Sequence, residues 1–141
     1  MNWTPRLIAP AKLLFATGVL TAVLAGSADA ERIKNPVAEF TGIDKITGRI
    51  INFDVYMNET MQFRALQVTP RVCYSSPESE EPKTDAFVEV DEITLEGNIR
   101  RIFTGWMFAE SPGLNAVEHA VYDVWLKSCK QSSDVPPPET N

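Results

Sequence analysis

Apolar and polar positions alternate along much of the chain with the period of a β-strand. In residues 50–57, Ile51, Phe53, Val55 and Met57 fall on one face, and Asn52, Asp54 and Tyr56 on the other. Asn58-Glu59-Thr60 follows as a turn. Residues 63–74 predict the next strand, with Leu66, Val68, Val72 and Tyr74 at alternating positions. Pro70 interrupts that strand and has no N–H for a ladder, which predicts an edge position or a bulge. Residues 40–47 form a weaker first strand, broken by Gly42 and ended by Gly48. Residues 75–85 read as a loop, with Pro77, Pro82, Ser75, Ser76 and a run of carboxylates. Residues 86–95 predict a strand closed by Glu96-Gly97-Asn98. Residues 100–109 predict another, whose bulk (Ile102, Phe103, Trp106, Met107, Phe108) lies on both faces, as in a strand covered on both sides. Ser111 caps and Pro112 starts a short helical turn over residues 114–118, and residues 121–126 form the last strand. The expectation is an all-β fold, an antiparallel sandwich or small barrel with a short helical turn.

The two ends read differently. Residues 1–30 have the layout of a secretory signal peptide: Arg6 and Lys12, an uncharged apolar run over 13–26, then Ala28-Asp29-Ala30 before Glu31. The apolar run, about 14 residues, is short of the roughly 20 that a spanning helix needs, so cleavage between Ala30 and Glu31 is expected, with no membrane span in the mature chain. There is no Arg-Arg pair, so the general secretory route is expected. Leu24-Ala25-Gly26-Ser27 resembles a lipoprotein box with Ser27 where the lipidated Cys would stand. Residues 131–141, with Ser132-Ser133 and Pro136-Pro137-Pro138, have little to bury and read as a disordered or extended tail. The folded domain is then 37–130.

Charge and composition narrow the chemistry. Among 141 residues, 13 Lys and Arg face 19 Asp and Glu, a net charge of −6, which argues against a nucleic-acid partner. One His and two Cys exclude the usual His/Cys structural zinc sites, and no metal or other cofactor is expected. In an exported chain, Cys73 and Cys129 are expected to form a disulfide, worth roughly 4 kcal/mol by loop-closure entropy. It would tie the predicted third strand to the last.

No catalytic constellation emerges. His119, with Glu118 and Asp123 nearby, has the residue types of an acid/base site, but a strand-start His bonded to backbone is the expected role. Glu78, Glu80 and Glu81 lack the pattern of a calcium loop. Glu89 and Asp91 share a strand face and, with Glu96, are expected to be solvated rather than paired for glycoside chemistry. There is no Gly-x-Ser-x-Gly elbow and no Gly-rich phosphate loop. The aromatics are more informative. Tyr122 and Trp125 lie on opposite faces of the last strand, so one of them is a candidate for exposure. Together with Trp106, and beside Arg71 or Arg100-Arg101, they define a candidate binding patch of Arg71, Trp106, Tyr122 and Trp125 for a partner or a glycan.

Several segments, in order, resemble a known family. They are Asp44-Lys45-Ile46-Thr47, Val68-Thr69-Pro70-Arg71-Val72-Cys73-Tyr74, Ala86-Phe87-Val88-Glu89-Val90 and Gly105-Trp106-Met107-Phe108-Ala109. The last continues through Ser111-Pro112, Leu114-Asn115-Ala116, Glu118-His119 and residues 121–126 to Cys129. The resemblance is to the bacterial domain of unknown function 2155, found in exported proteins of Gram-negative bacteria, and covers roughly residues 40–129. Glu110 and Ala120 depart from its Ser and Pro without touching the Cys pair or the aromatics. It implies a periplasmic domain and no established activity. The expected function is therefore a non-enzymatic periplasmic module, an accessory or scaffold protein with an envelope protein as partner. The alternative is a small-ligand or glycan-binding domain using exposed aromatics.

Overall fold

A computed structural model describes residues 31–139. The segment assigned to the signal peptide, up to Ala30, lies outside the described residues. Eight strands follow one another: β1 (Ile33–Lys34), β2 (Val37–Asp44), β3 (Ile50–Tyr56), β4 (Met61–Phe63), β5 (Leu66–Ser75), β6 (Thr84–Ile93), β7 (Ile99–Phe108) and β8 (Tyr122–Lys130). All pairings are antiparallel. One sheet runs β1-β5-β6-β7, with β4 also on β5, and the other runs β3-β2-β8. The two sheets are not closed into a barrel, so of the two architectures expected the sandwich is the one formed. Among the described residues no helix is long and apolar enough to cross a membrane.

The alternation of each strand supplies the inner faces. Ala38 and Phe40 of β2 and Val124 and Leu126 of β8 meet Leu66, Val68 and Cys73 of β5, Ala86, Val88 and Val90 of β6, and Met107 of β7. A ring stack runs through one end of this core: Phe40 on Phe53 and Phe53 on Phe63, each at 5.8 Å, with Tyr122 edge-on to Phe63 at 6.1 Å. The disulfide Cys73–Cys129 joins β5 to β8, one sheet to the other, with Cα atoms 5.8 Å apart.

Gly42 does not break the first strand. β2 continues through it, paired to β3 on one side and β8 on the other. A Cβ there would lie 2.9 Å from three ring atoms of Phe63, whose ring is itself held by Phe53 and Tyr122. Gly42 is the gap into which Phe63 packs. Ala is favoured over Gly in a strand by about 0.5–1 kcal/mol, but overpacking a closed core costs about 1–3 kcal/mol. Gly42→Ala is therefore expected to destabilise by about 1–2 kcal/mol in urea unfolding; an unchanged or raised midpoint would contradict this packing.

Three further local expectations need correction. Residues 63–74 form two strands rather than one. Phe63 pairs with Leu66 across the two-residue turn Arg64-Ala65, where Arg64 takes φ 53° without a Gly or Asn to announce it. Of the two positions expected for Pro70 the bulge is the one formed, between Pro70 and Val72, within an interior strand. Pro70 falls between the stretches of β5 that β4 and β1 pair, so no ladder donor is missed there, and its carbonyl accepts the Asn58 N–H at 2.8 Å. β7, expected to be covered on both faces, lies at the sheet edge and is half-buried or exposed at every residue but Met107. Its bulk divides between the core (Met107, Phe103) and an outward aromatic row. Finally, Ser111-Pro112 opens no helix: one turn closes with Leu114 N–H on the Ser111 carbonyl at 3.0 Å. The chain then runs irregularly, because Asn115 turns back to the Trp106 carbonyl at 2.7 Å and Val117 is drawn into the core.

Candidate functional site

The bulge in β5 decides which side chains face outward. With unbroken alternation Val72 and Tyr74 would share the inner face of Leu66 and Val68. The extra residue shifts the register, so that Cys73 points inward opposite Ala86, and Val72 and Tyr74 turn to the outer face. On the same face β6 presents Phe87 and β7 presents Trp106, its register partner. The Trp106 ring meets Phe87 edge-on at 5.5 Å and stacks beside Tyr74 at 6.3 Å, and it remains 37% exposed. The guanidinium of Arg32 lies over the Tyr74 ring, 4.8 Å from its centre.

Beside this cluster lies a charge ladder across three strands. Arg71, the bulge residue, donates from Nε and Nη2 to Glu89 Oε2 at 3.1 and 2.8 Å, and from Nη1 to Asn58 at 3.1 Å. Arg101 of β7 reaches Glu89 Oε1 at 3.5 Å and Asp91 Oδ1 at 2.5 Å. The hydrogen bond to Asp91 raises the Arg101 pKa above its ordinary value. Glu89 and Asp91 are thus bound to arginines on neighbouring strands. This aligns the strands at the exposed face but contributes little stability, as exposed pairs do.

At the other end of the aromatic cluster Asp85 is almost fully buried, 3% exposed. Its Oδ2 accepts from Arg32 Nη2, and its Oδ1 is the one buried side-chain polar atom without a hydrogen-bond partner among the described residues. Such an atom costs about 1–3 kcal/mol and calls for a reason. Asp85 lines a cavity of about 290 Å³ with Arg32, Lys83, Trp106 and Phe108. A second cavity of about 410 Å³ shares Lys83 and Phe108 and extends to Glu110 and Leu114.

The four residues of the sequence-derived patch do not form one surface. Arg71 and Trp106 share the outer face of the larger sheet. Trp125, half-buried opposite Thr41, lies on the outer face of the smaller sheet, because its neighbours Val124 and Leu126 face the core. Tyr122 turns inward, against Phe63 and His119. His119 has a structural role: its Nδ1 accepts the N–H groups of Val121 and Tyr122 at 3.1 and 3.0 Å. The proton therefore sits on Nε2, which donates to Glu92 at 3.2 Å. Tyr74, Phe87, Asp85 and Arg32 escaped the sequence reading. The signal for the first of them was Pro70 three residues before Cys73, the place where the register shifts.

Two carboxylates give the fold an acid dependence. Asp44 Oδ1 accepts the N–H groups of Thr47 and Ile46, which holds its pKa below the ordinary 3.8. Glu92 is held below its ordinary 4.5, first by the hydrogen bond from Arg100 and further by His119. Both groups bind protons more readily in the unfolded chain, so their contribution is full above those ordinary values and is lost as pH falls through the lowered ones. The urea midpoint is expected to decline as pH drops below 4.5. It should decline less steeply in Asp44→Asn/Glu92→Gln, and an identical slope in that variant would contradict this origin.

The class defined here is a disulfide-linked antiparallel sandwich with an open aromatic face on its larger sheet. A family model described as "Uncharacterized protein conserved in bacteria (DUF2155)" matches residues 38–129, from β2 to the second disulfide cysteine. The chain belongs to this family, and the resemblance drawn from its motifs is borne out. No curated protein and no solved structure matches it.

Proposed function

We propose that this protein is a non-enzymatic binding module of the periplasm that serves as an accessory or scaffold subunit of an envelope complex. The observation that carries this reading is the outward cluster of Tyr74, Phe87 and Trp106 flanked by Arg32 and Arg71. Aromatic and Arg side chains on an open sheet face are the composition of binding hot spots. Export and cleavage before Glu31 are supported by the layout of residues 1–30, and the Cys73–Cys129 bridge suits an oxidising compartment. A structural role for the chain's single His supports a module without acid/base chemistry of its own.

The test is crosslinked co-purification from envelope fractions. A stoichiometric partner is expected with the natural chain and with Trp125→Ala, and is expected to be lost with Trp106→Ala. Retention by Trp106→Ala would refute the assigned face. A second reading, a saccharide or other small ligand, is favoured by the unpartnered Asp85 Oδ1 near Trp106. Its mark would be a ligand-induced rise in Tm that Asp85→Asn removes.

A further inference from the structure

We propose that the edge of the smaller sheet carries a groove that reads extended proline-rich segments, filled in this chain by its own tail and open in exchange to a basic proline-rich segment of a partner protein. The site is separate from the aromatic face of the larger sheet and does not depend on it. β3 is paired by β2 on one side only. After β8 the chain turns back onto β3. Ser133 Oγ donates to Asp54 Oδ2 at 2.6 Å, the Val135 N–H donates to Ser133 Oγ at 3.1 Å, and Tyr56 Oη donates to the Val135 carbonyl at 2.7 Å. Pro136 and Pro138 then line a cavity of about 160 Å³ with Tyr56, Met61, Glu59 and Thr60.

This arrangement meets the requirements of a polyproline ligand. Such a segment has no internal hydrogen bonds and its prolines have no N–H, so it is recognised through its free carbonyls and its ring faces. Tyr56 supplies a donor to a carbonyl and an aromatic wall of the cavity that Pro136 and Pro138 also line. Because the segment is already extended, little conformational entropy is lost when it docks.

The tail is also a replaceable occupant. The groove contributes the carboxylates Asp54 and Glu59, and the tail carries Asp134 and Glu139, charges of the same sign. Lys130 Nζ neutralises Asp54, at 3.0 Å, but among the described residues Glu59 has no ion-pair partner. A proline-rich segment carrying Lys or Arg would meet that carboxylate favourably. Its disadvantage is entropic, since the tethered tail competes at an effective concentration on the order of millimolar.

The test uses the full mature chain in heteronuclear NMR. The probe is a synthetic peptide with the sequence of residues 132–139 and lysine in place of both acidic residues. The Asp134 and Val135 amide signals are expected to start dispersed and to move to unstructured positions as the basic peptide displaces the tail. The unaltered acidic peptide should need several-fold higher concentration. Tyr56→Phe, which keeps the ring, should loosen the tail, so that the Asp134 and Val135 signals move toward unstructured positions before any peptide is added. Tail signals unmoved at saturating peptide, or unaffected by Tyr56→Phe, would overturn the proposal. Equal displacement by both peptides would overturn its charge preference. A concentration-dependent dimer with the tail signals still dispersed would assign the groove to a second copy and overturn the partner.

Discussion

Reduction of the Cys73–Cys129 bridge is expected to lower the stability of the domain by about 4 kcal/mol. The two cysteines are 56 residues apart in sequence, and the intervening chain holds β6, β7 and the irregular segment before β8. Without the link, the unfolded chain gains the entropy of that open loop. The folded sandwich meanwhile loses its disulfide cross-link between the sheets. A typical domain has only about 5–15 kcal/mol in total, so the loss takes a large share. Urea unfolding with and without reductant measures it directly, and Cys73→Ala/Cys129→Ala should behave like the reduced chain or worse, since it also empties core volume. A difference below about 1 kcal/mol would mean that the sheets hold together without the bridge.

Phe40→Ala is the second large effect, with an expected loss of about 3–5 kcal/mol. Phe40 is fully buried, 0% exposed, in the central strand of the smaller sheet. Its register partners are Phe53 on β3 and Leu126 on β8, and its ring begins the stack that continues through Phe53 and Phe63. Strands paired on both sides of β2 cannot close in on the vacated space, so transfer and cavity costs add. Phe40→Leu keeps most of the volume and is expected to cost much less. Equal losses in the two variants would show that ring geometry, rather than volume, governs this end of the core.

Much of the architecture was legible from alternation alone. The period-two pattern located most of the strands, and the expectation of export, with one Cys pair, pointed to the bridge. What escaped came from features without a composition signal. The Arg64-Ala65 turn lacks the residues that usually mark a hairpin, so β4 and β5 read as one strand. The β5 bulge reversed the faces of Val72, Cys73 and Tyr74, and the outer aromatic cluster could not be assembled without it. Bulk on both faces of β7 suggested cover on both sides, whereas its outward Trp106 packs on Phe87 and Tyr74 within an open face. For the candidate patch, residue types were readable and their sheets were not. Trp106 and Trp125 sit on outer faces of opposite sheets, a relation that only the strand order determines.

The claim that the aromatic face of the larger sheet is the working surface can be tested in the cell. A photo-crosslinking amino acid is placed at Thr104, exposed on β7 on the same face as Trp106, at Arg101 or at Trp125, and its adducts are identified after irradiation. Positions 104 and 101 are expected to trap the same envelope protein, and position 125 none. Adducts from position 125 alone would contradict the account and move the interface to the smaller sheet.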